Sequence, residues 1–179
     1  MTSRGSRFKD GAMRNPAGQV FMKGRESTEW LEQNLRSTRN FIRKWGHMVK
    51  HDKMMFPIIP PKYDIGFVVK NCDSKMLREL EPWCSTIYTD CEYDDYIKEE
   101  QRNTAFNLSD RIKPYDNEKN NDIIVKFDAK MLNANNFQVI VNLSEMFKDS
   151  AEVGEMEYDV FHFDINSLET YEKDLIIRE

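Results

Sequence analysis

Between residues 63 and 112 short apolar runs alternate with amphipathic stretches, and this alternation restricts the fold more than any other feature of the chain. Residues 65–69, Ile-Gly-Phe-Val-Val, form a run typical of a buried strand. Asp73 or Ser74 then offers a cap to a helix carrying Met76, Leu77, Leu80 and Trp83, interrupted near Pro82. A second strand over 85–89 ends at Asp90, and a second helix over 94–101 keeps Tyr93, Tyr96 and Ile97 on one side. A third short strand is expected over 106–112. A β-α-β-α-β order of this kind predicts neighbouring parallel strands joined by right-handed crossovers. Beyond a polar turn at 113–122, strands are expected over 123–127, 137–143 and 158–165, and Ser167 is placed to cap a closing helix over 168–176. The fold class is therefore α/β, a small mixed sheet with a β-α-β-α-β start, preceded by a basic arm and one amphipathic helix.

Residues 1–25 are rich in Gly, Arg and Ser and read as an extended arm or loop. A helix is predicted over 28–45: Ser27 or Thr28 can cap it, and Glu29 and Glu32 sit where the helix dipole favours anions. Trp30, Leu31, Leu35, Phe41, Ile42 and Trp45 recur at helical spacing, and Gly46 is a natural stop. Pro57, Pro60 and Pro61 forbid a regular helix or a central strand in the linker over 46–62. Its Met54, Met55, Phe56 and Ile58 are expected to lie against a surface. The chain thus divides into a basic arm, helix and linker over 1–62 and an α/β domain over 63–179.

Charge follows the same division. Residues 1–62 hold 13 Lys/Arg against 5 Asp/Glu, a balance of +8, while residues 63–179 hold 13 against 26, a balance of −13. The larger part is acidic and would repel phosphate backbones, so nucleic-acid binding is excluded. The basic arm meets either a phosphate-bearing ligand or the acidic body of its own chain. No run reaches 18 apolar residues, so no membrane span is expected, and the first residues lack the apolar core of a secretory signal. A soluble, cytoplasmic protein is expected. Cys72, Cys84 and Cys91 are odd in number and form no Cys-x-x-Cys pair, which argues against a disulfide framework or a zinc site and for small buried thiols.

Chemistry-bearing constellations are few. No glycine-rich phosphate loop is present. His47 and His51, with Asp52, would share a metal only if one helix carried both imidazoles, but Gly46 and the prolines oppose that helix, so no metal site is assigned. His162 sits in an alternating stretch and reads as a surface or half-buried residue. Asp90, Glu92, Asp94 and Asp95 cluster after a predicted strand. Ligands gather beyond the carboxyl ends of parallel strands, so Asp90 is the best generic site candidate, against a helix-capping role for the run. Arg4, Arg7, Lys9 and Arg14 on the arm, and Arg36, Arg39, Arg43 and Lys44 on the helix, offer either phosphate-binding forks or a solvated face.

Several stretches, SRGSRFKDG, NLRSTRNFIRKWG, KHDKMMFPIIPPKYDIGFVVKNC, LEPWCSTIYTD and SLETYEKDLII, look like the tail of family 2 glycosyltransferases of bacteriophage and other microbial type. The most distinctive element is Phe41, Lys44, Trp45 and Gly46. The resemblance implies a GT-A fold, a nucleotide-sugar donor and a divalent metal, manganese or magnesium, held by an Asp-x-Asp motif and completed by a histidine. That motif, the catalytic carboxylate and the histidine would lie upstream of Met1, so the cofactor belongs to a missing half and no catalytic residue is assigned here. By the same analogy Arg4 and Arg7 lie near the donor diphosphate, and the partner is a glycosyltransferase catalytic domain or the nucleotide sugar itself. The expected function is an accessory domain of sugar transfer that lacks the nucleotide-sugar site and is inactive alone, located in the cytoplasm, a host's if the protein is viral. The alternative is a non-catalytic phage structural or carbohydrate- or protein-binding module, favoured by the Trp and Tyr content. A small hydrolase using Asp90 would rest on topology alone.

Overall fold

The structure, a computed structural model, describes residues 27–150 and 152–171. The chain divides into two compact units between Thr38 and Arg39. This division falls inside the first helix, α1 (Thr28–Trp45).

In the first unit, Ser27 Oγ accepts a hydrogen bond from the Trp30 backbone N–H at 3.2 Å, the N-cap bond that the sequence suggests. Arg36 lies 3.7 Å from Glu32 one turn away. Trp30, Leu31 and Leu35 are exposed.

In the second unit, α1 ends at Gly46, whose φ of +77° is the left-handed conformation that a glycine adopts without strain. Lys62 Nζ donates to the Arg43 and Lys44 carbonyls at 2.7 and 3.0 Å, satisfying two of the carbonyls left open there. A two-stranded hairpin follows, β1 (Lys50–His51) against β2 (Pro57–Ile58). Asp52 Oδ1 accepts from the Met54 and Phe56 N–H groups at 2.8 and 2.9 Å, and Met55 takes φ +68°. This turn lifts the apolar residues out. Met54 and Met55 are 79% and 70% exposed, and Phe56 and Ile58 are exposed too, so they do not lie against a surface of the described residues as expected.

The α/β body then runs β3 (Ile65–Lys70), α2 (Ser74–Leu80), β4 (Thr86–Thr89), α3 (Asp94–Glu100), α4 (Leu108–Arg111) and β5 (Ile112–Pro114). It continues through β6 (Ile123–Asp128), α5 (Phe137–Val141), α6 (Leu143–Ser150), β7 (Gly154–Tyr158) and β8 (Phe161–Ile165). The six strands of the body form one sheet in the order β5-β4-β3-β6-β8-β7. The β3–β4, β4–β5 and β3–β6 pairs are parallel; β8 is antiparallel to both β6 and β7. The sheet is mixed and the fold is α/β, as the sequence predicts.

Asp73 caps α2, its Oδ1 accepting from the Met76 N–H at 2.7 Å. Ile65, Phe67 and Val69 of β3, Ile123, Val125 and Phe127 of β6 and Phe161, Phe163 and Ile165 of β8 point to one core. Leu77, Leu80, Tyr96, Leu108, Ile140 and Phe147 pack on it from the helices. Val68, Tyr88 and Ile124 form a smaller cluster on the opposite face, with Tyr115 against it.

Four expectations for the body need correction. Residues 106–112 are not one strand: Asn107 Oδ1 accepts from the Ser109 N–H at 3.2 Å and caps α4, so strand structure starts only at Ile112. Residues 137–143 are not a strand but α5 and the start of α6, because the Asn133–Asn136 turn feeds the chain into a helix. There Asn136 Oδ1 accepts from the Asn133 N–H at 2.7 Å, and the Phe137 N–H donates to the Asn133 carbonyl at 3.0 Å. Residues 158–165 are not one strand: Asp159, at φ +54°, makes a tight turn between β7 and β8. Ser167 Oγ accepts from the Glu169 N–H at 3.1 Å, but Thr170 bridges to Tyr63 and does not begin a helix. The rest of the expected closing helix, 172–176, lies outside the described residues.

Candidate ligand site at the strand carboxyl ends

After β3 the chain steps outward to β4 and β5, then returns to place β6 on the other side of β3. Two parallel strands whose connections leave in opposite directions open a crevice at their carboxyl ends, the common ligand position in open α/β sheets. Lys70 and Asp128, the last residues of β3 and β6, stand opposite each other there. Asn71 follows at φ +53°, a left-handed conformation that Asn tolerates better than most side chains. Its backbone N–H donates to Asp90 Oδ2 at 2.7 Å, and its Nδ2 donates to Asp128 Oδ2 at 2.7 Å. Asp90 Oδ1 also accepts from the Cys72 N–H at 3.1 Å, and Asp128 Oδ1 from the Lys130 N–H at 2.9 Å. One asparagine thus ties the ends of three adjacent strands together.

Both carboxylates are already engaged by these donors, so the strut sets loop geometry and does not act as a free base. Beside it, Met76, Glu79, Leu132, Asn133, Ala134 and Phe137 line an open, largely apolar hollow of about 320 Å³, room for a small planar ligand group. A second hollow of about 410 Å³, lined by Lys119, Lys126, Glu155 and Asp164 among others, lies where β6 begins and β8 ends.

Asp90 therefore lies just beyond β4, at the carboxyl end of the sheet, bonded to the Asn71 and Cys72 N–H groups that the sequence did not reveal as its partners. Asn71 and Asp128 escape a reading of the sequence because nothing in the residue pattern says that β6 lies beside β3; the one available signal is that each follows a buried strand. Asp94 and Asp95 begin α3, where the helix dipole favours them, and Asp95 contacts Lys98 at 3.3 Å. Arg4 and Arg7 lie outside the described residues.

The basic residues of the helix have a different destination. Arg43, with its side chain fully buried, donates to Glu81 Oε2 from Nη2 at 2.6 Å and from Nε at 2.9 Å, and from Nη2 also to Glu100 at 3.0 Å. Arg39 forks onto Glu100 at 2.8 and 2.7 Å, and Arg111 reaches Glu81 at 2.6 Å. Burial alone would raise the Glu81 and Glu100 carboxyls, but the arginines hold both below the usual range. Burial likewise works against charge on Arg43, and Glu81 overrides it, so its proton is held more tightly than usual. Arg39 and Arg43 are thus consumed within the chain and are not phosphate forks.

The Phe41 and Trp45 rings lie 6.4 Å apart at a tilt of 41°, with Lys44 over Trp45 at 4.9 Å. With Gly46 they form the end of α1. The hollow near that end measures only about 10 Å³, too small for a ligand. His47 is buried, its Nδ1 2.6 Å from the Met48 carbonyl, while His51 is exposed on β1, so no helix presents the pair. His162 is half-buried between Glu157 and Asp164, as the sequence suggests. Among the described residues no group of three or more His, Cys, Asp or Glu side chains is placed to hold a metal. Cys84 is buried as expected, whereas Cys72 and Cys91 are only partly so.

The fold defines a small mixed α/β protein whose strand order reverses at β3 and β6. Comparison of the chain with family models, with curated proteins and with solved structures finds no match. No helix among the described residues is long and apolar enough to cross a membrane.

Proposed function

We propose that this chain is a glycosyltransferase-related α/β domain that takes the diphosphate-bearing donor of sugar transfer at the crevice between β3 and β6, without supplying the complete catalytic centre. The observation that carries the reading is the reversal of strand order at β3 and β6, where the Asn71 strut fixes the loops. Lys70 and Lys130, both exposed, supply positive charge beside it, and the apolar hollow next to it suits a flat base. The metal that the resemblance implies does not fit this donor set. Lys130 stands two residues after Asp128 in place of a second carboxylate, and both Asp128 oxygens already accept hydrogen bonds. The role is therefore accessory, working with a catalytic half that holds the metal.

The test is a ¹H–¹⁵N titration of the labelled chain with UDP, GDP and a UDP-sugar. Shifts are expected at residues 70–73, 89–91 and 128–131 and around the hollow at Met76, Glu79, residues 132–134 and Phe137, with Asn71→Ala and Asp128→Ala each weakening binding about tenfold. Unchanged spectra at millimolar nucleotide would sink the reading.

A second reading, a non-catalytic binding module, is favoured by the hairpin tip, where Met54, Met55 and Phe56 are 79%, 70% and 63% exposed. Glycan arrays and native mass spectrometry decide it; a partner lost on Phe56→Ser with nucleotide binding absent would replace the first reading.

A further inference from the structure

Cys72 and Cys91 stand just beyond neighbouring parallel strands, β3 and β4, whose register sets Val69 opposite Thr89. The Asp90 side chain clasps the loop carrying Cys72 through the Asn71 and Cys72 N–H groups, and Cys91 is the residue after Asp90. Cys72 Sγ donates to the Asp73 carbonyl at 3.5 Å, and Thr89 Oγ1 donates to Cys91 Sγ at 3.3 Å. Both cysteines are partly exposed, while Cys84 is buried and directed at the Glu81 carbonyl at 3.5 Å.

The two thiols are unequal. The neighbouring Cys72 lowers the Cys91 thiol to about 7, against burial and the Asp90 charge, while Cys72 is raised. A substantial fraction of Cys91 is then thiolate at neutral pH, the form that attacks electrophilic oxygen, with a resolving thiol on the loop after the paired strand.

We propose that Cys72 and Cys91 are an oxidation site that a peroxide converts to an intramolecular disulfide. The Cys91 thiolate attacks the peroxide O–O bond, takes one oxygen as a sulfenic acid and expels the other as an alcohol or water once protonated. Cys72 then attacks the Cys91 sulfur, the S–S bond forms, and the sulfenic hydroxyl leaves as water with the Cys72 proton. Two thiols lose two electrons and the peroxide gains them; a dithiol reductant reverses the exchange. The product links the loops after β3 and β4 along the path that Asp90 already holds. This chemistry stands apart from the donor-binding reading, because its readout is covalent.

The full chain is treated with a few equivalents of hydrogen peroxide, alkylated, digested and mapped by mass spectrometry. A Cys72–Cys91 peptide lighter by two hydrogens and reversible by dithiothreitol is expected, with Cys84 alkylated only after unfolding. Cys84→Ser should cross-link like the parent, and Cys72→Ser should leave a Cys91 sulfenic acid that dimedone traps. The oxidised parent should melt several degrees higher. Equal reaction of all three thiols, Cys91 overoxidation without the linked peptide, or linkage only between chains would each overturn the proposal. The parent protein alone decides between these outcomes, whatever the variants do.

Discussion

Glu81 shows why one residue in the core of this protein can be a carboxylate. Its side chain is fully buried, and two arginines, Arg43 and Arg111, neutralise it with Tyr96 donating a third contact at 3.1 Å. Removing one partner of a buried pair leaves an uncompensated charge, which costs far more than the pair contributes. Arg43→Met should therefore destabilise the chain by about 3–5 kcal/mol in urea unfolding. Lys98→Ala, breaking the exposed Lys98–Asp95 contact, should leave the midpoint where it was. The pH dependence has a definite sign. Glu81 and Glu100 have carboxyl pKa values below the unfolded 4.5, so their contribution is complete above about 4.5 and drains away as pH falls through the lower folded values. Urea midpoints taken from pH 7 down to pH 3 should drop, and drop less in Arg43→Met, whose Glu81 has lost part of its stabilisation. A parallel fall in both proteins would remove the network from the account of acid stability.

At the level of elements, Gly66 in the middle of β3 explains how the sheet's second face is closed. A Cβ there would meet the Asn121 side chain, with Cγ at 2.8 Å. Asn121 is held in place by Tyr88 OH at 3.0 Å and by Asp64 at 2.7 Å, so it cannot yield without breaking both bonds. Gly66→Ala should lower stability by about 2 kcal/mol. In an Asn121→Ala background the same change should do clearly less; equal losses in both backgrounds would show that the asparagine is not what the methyl group meets. The strands and helices that did emerge from the sequence, β3, β4, β6, α1, α2 and α3, are those whose apolar spacing is regular, helped at α1 and α2 by side-chain caps. Residues 137–143 misled because Val139, Ile140 and Val141 favour strands, whereas the Asn133–Asn136 turn and the burial of Ile140 on the core favour a helix. Tertiary context outweighed propensity there. The candidate site was half legible for the same kind of reason. Asp90 follows a strand and could be singled out, but Asn71 and Asp128 acquire meaning only once β6 is known to return beside β3.

For the molecule as a whole, the opposed charges of its two regions are not merely a surface property. The second unit, beginning at Arg39, keeps every residue of the main core and the whole Arg39–Arg43–Glu81–Glu100 network. A chain of residues 39–179 should therefore unfold in one cooperative transition, within a few degrees of the full protein, even though the helical piece before Gly46 is then too short to persist by propensity. Contacts, not intrinsic preference, would hold it. Cutting nine residues further, to 48–179, removes Arg39, Asn40 and Arg43 together with the Arg43 and Lys44 carbonyls that receive Lys62. Glu100 then loses both arginines, and Glu81 keeps only Arg111. Leaving one such buried carboxylate without its partner costs about 3–5 kcal/mol, a large share of the 5–15 kcal/mol that holds a domain folded. The shorter piece should show no cooperative melt by circular dichroism and should bind a dye for exposed apolar surface. If 48–179 melts sharply at the same temperature as 39–179, the basic helix is a passenger on the acidic body, and the charge division read from the sequence has no structural consequence.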